Sequence, residues 1–225
     1  MPNRALLVFA KVPRPGQVKT RLTPVLTPAQ AARLYTAFLR DALRQYARLD
    51  LAVRLYIAPP LPNDSLVGVP TDVSVHEQTG DGLGARMLNA LRDSVDAGFD
   101  QVAVVGTDHP TLPSAFIERG FSALTDPPAL SIGPSSDGGF YLLGMTTPYP
   151  KLFDGMNYSH DRVFSETLSR AAATDARVTV LPEWYDVDTP ATLRRMVDDL
   201  EDPAVDAPNT RRMVDQLNLQ NRIAA

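Results

Sequence analysis

The sequence predicts an α/β fold, a three-layer α/β/α sandwich built around a mostly parallel β-sheet. Three observations lead to this prediction. Short apolar segments alternate along the chain with helical segments of about ten residues or more, as in βαβ units. Several of the apolar segments are continuous, which is typical of strands buried on both faces. The 225 residues are 44% hydrophobic and 21% charged, ordinary values for a globular protein.

The first half of the chain predicts four strands and two helices. Residues 6–10 form a continuous apolar run, which predicts a buried strand. Thr27 and Pro28 form a typical helix start, with threonine as the N-cap and proline in the first turn, and helical spacing of apolar residues continues to Tyr46. Residues 51–57 alternate in polarity, which predicts a second strand. The other elements predicted here are strands at 73–75 and 101–106 and a helix at 82–97.

The second half predicts three further strands and three helices before the C-terminal tail. The predicted helices are at 113–124, 161–173 and 190–200, and the predicted strands are at 129–133, 140–145 and 178–181. No repeat or low-complexity linker divides the chain. We therefore expect one domain, residues 1–203, followed by a tail, residues 204–225, that contains a helix near 209–219 and packs on the domain.

Composition excludes several classes of function. The chain has no cysteine, which rules out disulfides, thiolate metal sites and cysteine nucleophiles. Its net charge of −4 argues against general nucleic-acid binding. The first apolar run is too short to span a membrane and lacks a signal-peptide cleavage pattern, so we expect a cytoplasmic protein with no membrane partner, either a monomer or a homodimer.

A basic loop follows the first predicted strand. Within residues 11–21 the chain carries four cations and no acidic residue, and these like charges repel each other unless an anion neutralises them. A polyphosphate would do so, which predicts phosphate binding by this set of residues: Lys11, Arg14, Gly16, Lys19 and Arg21. A solvated basic loop is the alternative. The spacing is not that of a P-loop.

A glycine-rich segment precedes the helix at 82–97. Residues 80–85 fit the pattern G-x-G-x-x-[GA] of dinucleotide-binding folds, but the strand before them is short and is not the first of the chain. We predict instead that Gly82 and Gly84 let the backbone approach a base or a ribose. An ordinary turn and helix start is the alternative.

Acidic residues follow two of the predicted strands. Asp108 comes after the strand at 101–106, and Asp186 and Asp188 come after the strand at 178–181. Ligands of open α/β sheets bind beyond the carboxyl ends of the strands, where carboxylates can hold Mg²⁺ against phosphate oxygens. We predict that Asp108 and Asp188 together bind Mg²⁺ or Mn²⁺. The alternatives are that Asp108 only turns the chain and that Asp188 or Thr189 only caps the next helix.

A Ser-Ser-Asp-Gly-Gly turn lies between the strands at 129–133 and 140–145. Asp-Gly-Gly is first of all a turn signal. Two adjacent glycines also permit a ligand to approach closely, and an aspartate can accept hydrogen bonds from hydroxyls. We therefore predict acceptor binding by Asp137, Gly138 and Gly139, with a plain turn as the alternative.

Taken together, these motifs resemble the GT-A-type nucleotide-diphospho-sugar transferase superfamily, and within it a bacterial family labelled "transferase 1" or glycosyltransferase. The motifs are Phe9-Ala10-Lys11-x-Pro13-x-Pro15-Gly16-x-x-Lys19-Thr20-Arg21-Leu22, Gly82-Leu83-Gly84-x-Arg86-Met87, Gly106-Thr107-Asp108-x-Pro110-x-Leu112, Gly133-Pro134-x-x-Asp137-Gly138-Gly139-Phe140-Tyr141-Leu142 and Asp186-Val187-Asp188-Thr189. The third and fifth are also similar to those of molybdopterin-cofactor nucleotidyltransferases and phospholactate guanylyltransferases. The resemblance implies a Rossmann-like GT-A fold. His109 stands where a smaller residue is more usual in this family.

The resemblance also implies residue roles: Asp108 and Asp188 as metal ligands, and Lys19 and Arg21 on phosphate. With Lys19, Asp108 and Asp188 as catalytic residues, we expect an enzyme that transfers a nucleotidyl group from a nucleoside triphosphate to a small phosphorylated or hydroxyl acceptor. Glycosyl transfer from a nucleotide sugar is one alternative. A nucleotide-binding module without catalysis is another.

Overall fold

A mixed β-sheet forms the centre of the computed structural model, which describes residues 3–60, 68–158 and 160–223. In chain order, its seven strands in the described part are β1 (Arg4–Ala10), β2 (Ala52–Ile57), β3 (Ser74–Glu77), β4 (Gln101–Val105), β5 (Ala129–Pro134), β6 (Phe140–Met145) and β7 (Arg177–Val180). Their order across the sheet is β3-β2-β1-β4-β6-β5-β7. β6 runs antiparallel to β4 and β5, and the other pairs are parallel.

Helices cover both faces of this sheet. They are α1 (Pro28–Tyr46), α2 (Gly82–Asp96), α3 (Ser114–Ser122), α4 (Val163–Ala171), α5 (Pro190–Asp199), α6 (Pro208–Leu217) and α7 (Leu219–Ile223). Successive side chains of β1 point to opposite faces, so Leu6 packs in one core with α1 and α3, while Leu7 packs in another with α2 and α4. The predicted three-layer α/β/α fold with a mostly parallel sheet is therefore confirmed.

The C-terminal segment packs against the outer side of α1. A third apolar core joins α1 to α5, α6 and α7. Asn218 adopts a left-handed backbone (φ 52°) that ends α6, so the segment forms two helices where the sequence predicted one. Within the described residues, no helix combines the length and the apolar character needed to cross a bilayer.

Each predicted strand and helix is present, with bounds that differ by at most two residues from those predicted. β3 shows the shift most clearly, because it begins one residue later and ends two residues later than the predicted 73–75. Thr27 caps α1 through a capping box with Gln30, as its sequence position predicts. Two short 3₁₀ helices, Thr20–Leu22 and Pro150–Leu152, were not predicted.

Candidate functional site

A cleft of about 590 Å³ opens at the carboxyl ends of the parallel strands. Its lining includes the four residues that directly follow β1, β2, β3 and β4. In the same order these are Lys11, Ala58, Gln78 and Gly106. Open α/β sheets bind their ligands at this edge. The position of the cleft therefore agrees with the region that the sequence indicated.

Charged side chains of both signs line this cleft. The described cations are Lys11, Lys19, Arg21 and Arg86, and the described anions are Asp108, Asp186 and Asp188. Counted over these lysine, arginine and aspartate side chains, positive charge exceeds negative charge by one. The chain as a whole has a net charge of −4, so the cleft is a local reversal of sign.

Lys19 joins the two aspartates that the sequence predicted to act together. Its ammonium nitrogen donates a hydrogen bond to Asp188 Oδ1 at 2.8 Å and forms an ion pair with Asp108 Oδ1. The Lys19 side chain is only 2% exposed, whereas those of Asp108 and Asp188 are 43% and 37% exposed. Both carboxylates therefore face the same cleft while sharing one buried cation.

A backbone hydrogen bond holds the loop that carries Asp108 beside the loop that carries Asp188. The amide of Val187 donates to the carbonyl oxygen of Asp108 at 2.8 Å, which places Asp188 next to the end of β4. Thr189, not Asp188, is the N-cap of α5, and it forms a capping box with Thr192. Of the two capping alternatives, the structure selects Thr189, so the Asp188 carboxylate pairs with Lys19 instead.

The basic loop is fixed to the rest of the protein on both sides of Lys19. Val18 and Leu22 are buried in the core beneath α1, and Lys19 has a left-handed backbone (φ 51°, ψ 37°). Its ammonium lies 5.9 Å from the ring centre of Tyr35 and 5.7 Å from that of Phe38. These contacts keep the Lys19 side chain buried, whereas on an unattached loop it would extend into solvent.

The Tyr35 hydroxyl connects the basic loop to the loop that carries Asp108. It accepts a hydrogen bond from the Lys11 amide at 3.1 Å and shares a second with the Thr107 hydroxyl at 2.9 Å. Burial, and to a smaller extent the charge of Asp108, together raise the pKa of Tyr35 to about 12. The phenol is therefore a neutral link between the two loops at neutral pH.

Mutual attraction keeps Lys19 and Asp108 ionised. Desolvation by itself would lower the pKa of Lys19, but the charges of Asp108 and Asp188 outweigh it and raise that pKa above the ordinary value. Desolvation would likewise raise the pKa of Asp108, but the Lys19 charge holds it below the ordinary value. The contact between them is therefore a true ion pair at neutral pH.

His109 is a cleft residue that the sequence did not single out as functional. Its side chain is 2% exposed, and its Nδ1 lies 3.4 Å from Asp186 Oδ1. Its Nε2 is buried and has no hydrogen-bond partner among the described residues. The ring meets that of Tyr141 edge to face, with 6.0 Å between the centres. A buried nitrogen without a partner is unusual in folded proteins, which makes His109 a candidate ligand contact.

Gln78 is a second cleft residue that sequence reasoning missed. It is buried, and its amide nitrogen donates to the carbonyl oxygens of Tyr56 at 3.0 Å and Ala10 at 3.3 Å. Both amide hydrogens are thereby used, so the carbonyl oxygen is what Gln78 can offer to a ligand. The available signal was its position directly after β3, where a parallel sheet directs residues to the cleft.

Several residues of the predicted phosphate and nucleotide site do not line the cleft. Arg14 and Gly16 lie exposed on the basic loop, and Gly82 is exposed at the start of α2. Gly84 is buried, and a Cβ added there would meet the Tyr158 ring at 2.9 Å. Close packing of α2 thus explains Gly84 in structural terms, while Lys11, Lys19 and Arg21 of the same predicted set do line the cleft.

The three residues predicted to bind the acceptor form a turn that is not part of the cleft lining. Asp137 Oδ1 accepts a hydrogen bond from the Gly139 amide at 2.9 Å, as in a local turn. Gly138 has φ 88°, and a Cβ there would lie 1.9 Å from the Asp161 carbonyl oxygen. The next two residues, Phe140 and Tyr141, line the cleft. This geometry is that of a turn, and acceptor binding by Asp137, Gly138 and Gly139 stays a prediction.

The predicted ligands of a divalent cation are the two aspartates that pair with Lys19. Within the described residues, no group of three or more His, Cys, Asp or Glu side chains is arranged to hold a metal ion. Mg²⁺ is often bound by one or two carboxylates, with substrate phosphates and water completing its octahedron. Asp108 and Asp188, each more than one third exposed, fit that kind of site.

A protein-family model for "Uncharacterized protein conserved in bacteria (DUF2064)" matches residues 41–160. The chain belongs to this family. No curated protein matches it. One solved structure is similar along almost its whole length: a candidate nucleotide-diphospho-sugar transferase from Desulfovibrio desulfuricans G20. That protein is 30% identical, with 98% of each chain covered and a TM-score of 0.86.

The fold of this DUF2064 chain also occurs in nucleotidyltransferases of lower identity. A cytidylyltransferase from Leptospira borgpetersenii is 12% identical, with 99% of this chain and 97% of that chain covered and a TM-score of 0.57. An inositol-1-phosphate CTP transferase from T. maritima is 15% identical, with 90% and 98% covered and a TM-score of 0.54. At such identities the similarity shows a shared fold. Together with the 30% identical Desulfovibrio desulfuricans protein, these structures confirm the α/β fold of nucleotide-diphospho-sugar transferases that the motifs predicted.

Proposed function

We propose that this protein is a transferase that binds a nucleoside triphosphate together with Mg²⁺ or Mn²⁺ and passes the nucleotidyl group to a small acceptor. The observation that carries the proposal is the cluster of Asp108, Lys19 and Asp188 at the carboxyl edge of the sheet. It combines two carboxylates for a metal with a cation for phosphate in one cleft.

The other cations of the cleft suit a polyphosphate. Lys11, Arg21 and Arg86 line the same space as Lys19, and an arginine fork can hold two phosphate oxygens at once. Apolar side chains of Phe9, Leu83 and Met87 form another part of the lining, where a nucleobase could be buried. The cleft thus offers charged side chains for phosphates and apolar side chains for a base.

Asp108 and Asp188 would hold the divalent cation, which neutralises phosphate charge and polarises the reacting phosphoryl group. Lys19 and Arg21 would bind the phosphate oxygens whose charge grows in the transition state. The acceptor oxygen, which loses its proton to solvent if it is a hydroxyl, forms a bond to the α-phosphorus. The bond from that phosphorus to the oxygen that bridges it to the β-phosphorus breaks, and pyrophosphate leaves. Positioning and electrostatic stabilisation would then supply most of the acceleration, without a side-chain nucleophile.

Glycosyl transfer is the second candidate. It is favoured by the similar Desulfovibrio desulfuricans protein, which is described as a candidate nucleotide-diphospho-sugar transferase. In that reaction the same residues would hold the diphosphate of the donor, and a nucleoside diphosphate would be released. The four cations that line the cleft favour a triphosphate, because it carries more negative charge than a diphosphate ester.

Product analysis separates the two candidates. The protein is incubated with Mg²⁺ and each of the four common nucleoside triphosphates or each common nucleotide sugar, with sugar phosphates and polyols as acceptors. Release of pyrophosphate supports nucleotidyl transfer, and release of a nucleoside diphosphate supports glycosyl transfer. The Asp108→Asn variant serves as the inactive control. Binding of a nucleotide with neither product, across the whole acceptor panel, would indicate a binding module and contradict the proposal.

A further inference from the structure

The ammonium of Lys19 lies between the carboxylates of Asp108 and Asp188, the two residues proposed to hold a divalent cation. One oxygen of each carboxylate contacts this nitrogen, so the protein itself supplies a cation to the pair. The side chain is 2% exposed and is flanked by the rings of Tyr35 and Phe38. The charge of Lys19 therefore neutralises part of the negative charge of the two carboxylates, and no metal is needed for this.

The charge around this pair also disfavours a free metal ion. Lys11, Arg21 and Arg86 line the cleft together with Lys19, and the described lining carries one positive charge in excess. A free divalent cation would have to enter this positive surface and compete with a tethered ammonium for the same oxygens. A complex of the cation with a nucleoside triphosphate has the opposite net sign and is attracted.

The loop around Lys19 allows the side chain to change partners while its backbone stays in place. Val18 and Leu22 anchor the loop in the core, and the ion pair is made by the end of a flexible four-carbon side chain. Phosphate oxygens in the cleft would offer the ammonium a new anionic partner. The two carboxylates would then be available to the metal that arrives with those phosphates.

We propose that Lys19 is a tethered counter-ion that excludes the free divalent cation and admits it only as a metal–nucleotide complex. This inference rests on the proposed function, because it assumes that Asp108 and Asp188 are the metal ligands. Lys19 thereby determines the order of binding. The metal enters as a complex with the polyphosphate and does not bind before the nucleotide.

Binding of Mn²⁺ alone tests this inference without any turnover. Mn²⁺ is titrated into the wild type and into Lys19→Met, and bound metal is followed by electron paramagnetic resonance. Lys19→Met removes the charge but keeps a side chain of similar length. We expect it to bind Mn²⁺ at least about tenfold more tightly than the wild type, a difference of about 1.4 kcal/mol. A double variant, Lys19→Met with Asp188→Asn, should lose the gain.

The same titration is repeated with the α,β-methylene analogues of ATP, GTP, CTP and UTP. We expect the wild type to bind Mn²⁺ together with at least one analogue, although it binds the metal alone weakly. Thermal unfolding provides a second readout, because a metal that binds the folded state stabilises it. Mn²⁺ should raise the melting temperature of Lys19→Met more than that of the wild type, even if the variant is less stable.

The outcomes distinguish this inference from the proposed function. If the wild type binds Mn²⁺ alone as tightly as Lys19→Met does, Lys19 excludes nothing and the inference is wrong, while the metal site stands. If Mn²⁺ neither binds nor stabilises Lys19→Met, the inference is overturned as well. If no analogue brings Mn²⁺ into the wild type either, the metal assignment of the proposed function fails together with it.

Discussion

Arg14 and Arg21 lie on the same loop but have different surroundings. Both are exposed, yet Arg21 lines the cleft and Arg14 does not. The sequence places both in one basic segment and therefore predicted phosphate binding for both. In the structure Arg21 lies in the short 3₁₀ helix Thr20–Leu22, whereas Arg14 begins an exposed turn in which its carbonyl oxygen accepts a hydrogen bond from the Gln17 amide at 3.0 Å.

We therefore predict that Arg21→Ala weakens binding of the preferred nucleoside triphosphate by about tenfold, because it removes an ionised contact to phosphate. The matched variant Arg14→Ala should change the affinity by less than about twofold, since surface charges outside the site contribute little. Isothermal titration calorimetry in the presence of Mg²⁺ measures both. Equal losses in the two variants would show that the whole loop, and not the cleft lining, binds the phosphates.

Much of the candidate site could be predicted from single residues, and some of it could not. Asp108, Asp188 and Lys19 were predictable because unusual charges follow strand ends, where parallel sheets collect ligands. His109 and Gln78 were not, because their interest comes from burial and from partners distant in sequence. A local pattern cannot show that a nitrogen is buried without a partner, since that depends on what packs around it.

At the scale of elements, a buried aspartate on α1 holds the start of α6. Asp41 is 1% exposed, and its two carboxylate oxygens accept four hydrogen bonds. The donors are the backbone amides of Asn209 and Thr210, the Asn209 side-chain amide and the Thr210 hydroxyl, at 2.7–3.0 Å. These bonds satisfy amides of the first turn that would otherwise lack partners.

Asp41→Ala should lower the free energy of unfolding by about 3 kcal/mol, because it leaves buried donors of α6 unsatisfied. Urea denaturation followed by circular dichroism measures the change. Asp50→Ala is a suitable control, because Asp50 forms an exposed ion pair with Arg4 and should cost less than about 1 kcal/mol. If the two variants are equally stable, Asp41 does not hold the C-terminal helices.

The turn between β5 and β6 fits closely against the segment before α4. A side chain at Gly138 would collide with the backbone of Asp161, and the Gly138 carbonyl accepts a hydrogen bond from Phe164 at 2.8 Å. Gly155 has a similar positive φ of 62° but no atom close to its missing Cβ. The two glycines therefore separate the cost of backbone strain from the cost of a collision.

Gly138→Ala should lower the free energy of unfolding by at least about 3 kcal/mol, since it adds a backbone collision to the strain of a positive φ. Gly155→Ala should cost only the strain, about 1 kcal/mol. Chemical denaturation of both variants provides the comparison. A Gly138→Ala variant as stable as Gly155→Ala would mean that the turn can move away from α4 at little cost.

The elements themselves were largely predictable, because hydrophobic period and capping are local. The Thr27 cap and the run at 6–10 are examples, and each leads to the element that the structure contains. The order of the strands was not predictable, because the insertion of β6 between β4 and β5 depends on long-range pairing. The helix Thr20–Leu22 was missed because a helix of three residues is too short to show a helical period in the sequence.

At the scale of the whole molecule, buried tyrosines limit stability at high pH. Tyr46 and Tyr185 are at most 1% exposed, and burial raises the pKa of both phenols above the ordinary value. The Tyr185 hydroxyl also donates to Asp199 at 2.5 Å, which raises its pKa further. The folded protein therefore keeps these protons at a pH where the unfolded chain releases them.

This linkage predicts that the contribution of these tyrosines to the free energy of unfolding is constant below pH about 10 and falls above it. The sign follows from the raised pKa of the folded state, which binds more protons than the unfolded state in that range. Each such phenol contributes a loss of about 1.4 kcal/mol per pH unit. Urea denaturation at increasing pH measures the slope, and Tyr46→Phe should reduce it. An unchanged slope in that variant would contradict the assignment.

The Tyr35 hydroxyl has one more consequence for the molecule. Because it bridges the Lys11 amide and the Thr107 hydroxyl, it holds the basic loop and the loop that carries Asp108 at a set separation before any ligand arrives. A cleft of fixed width can distinguish ligands by the length of their phosphate chain as well as by their charge. A Tyr35→Phe protein, with this spacer removed, should accept phosphate chains of different lengths with less discrimination than the native one.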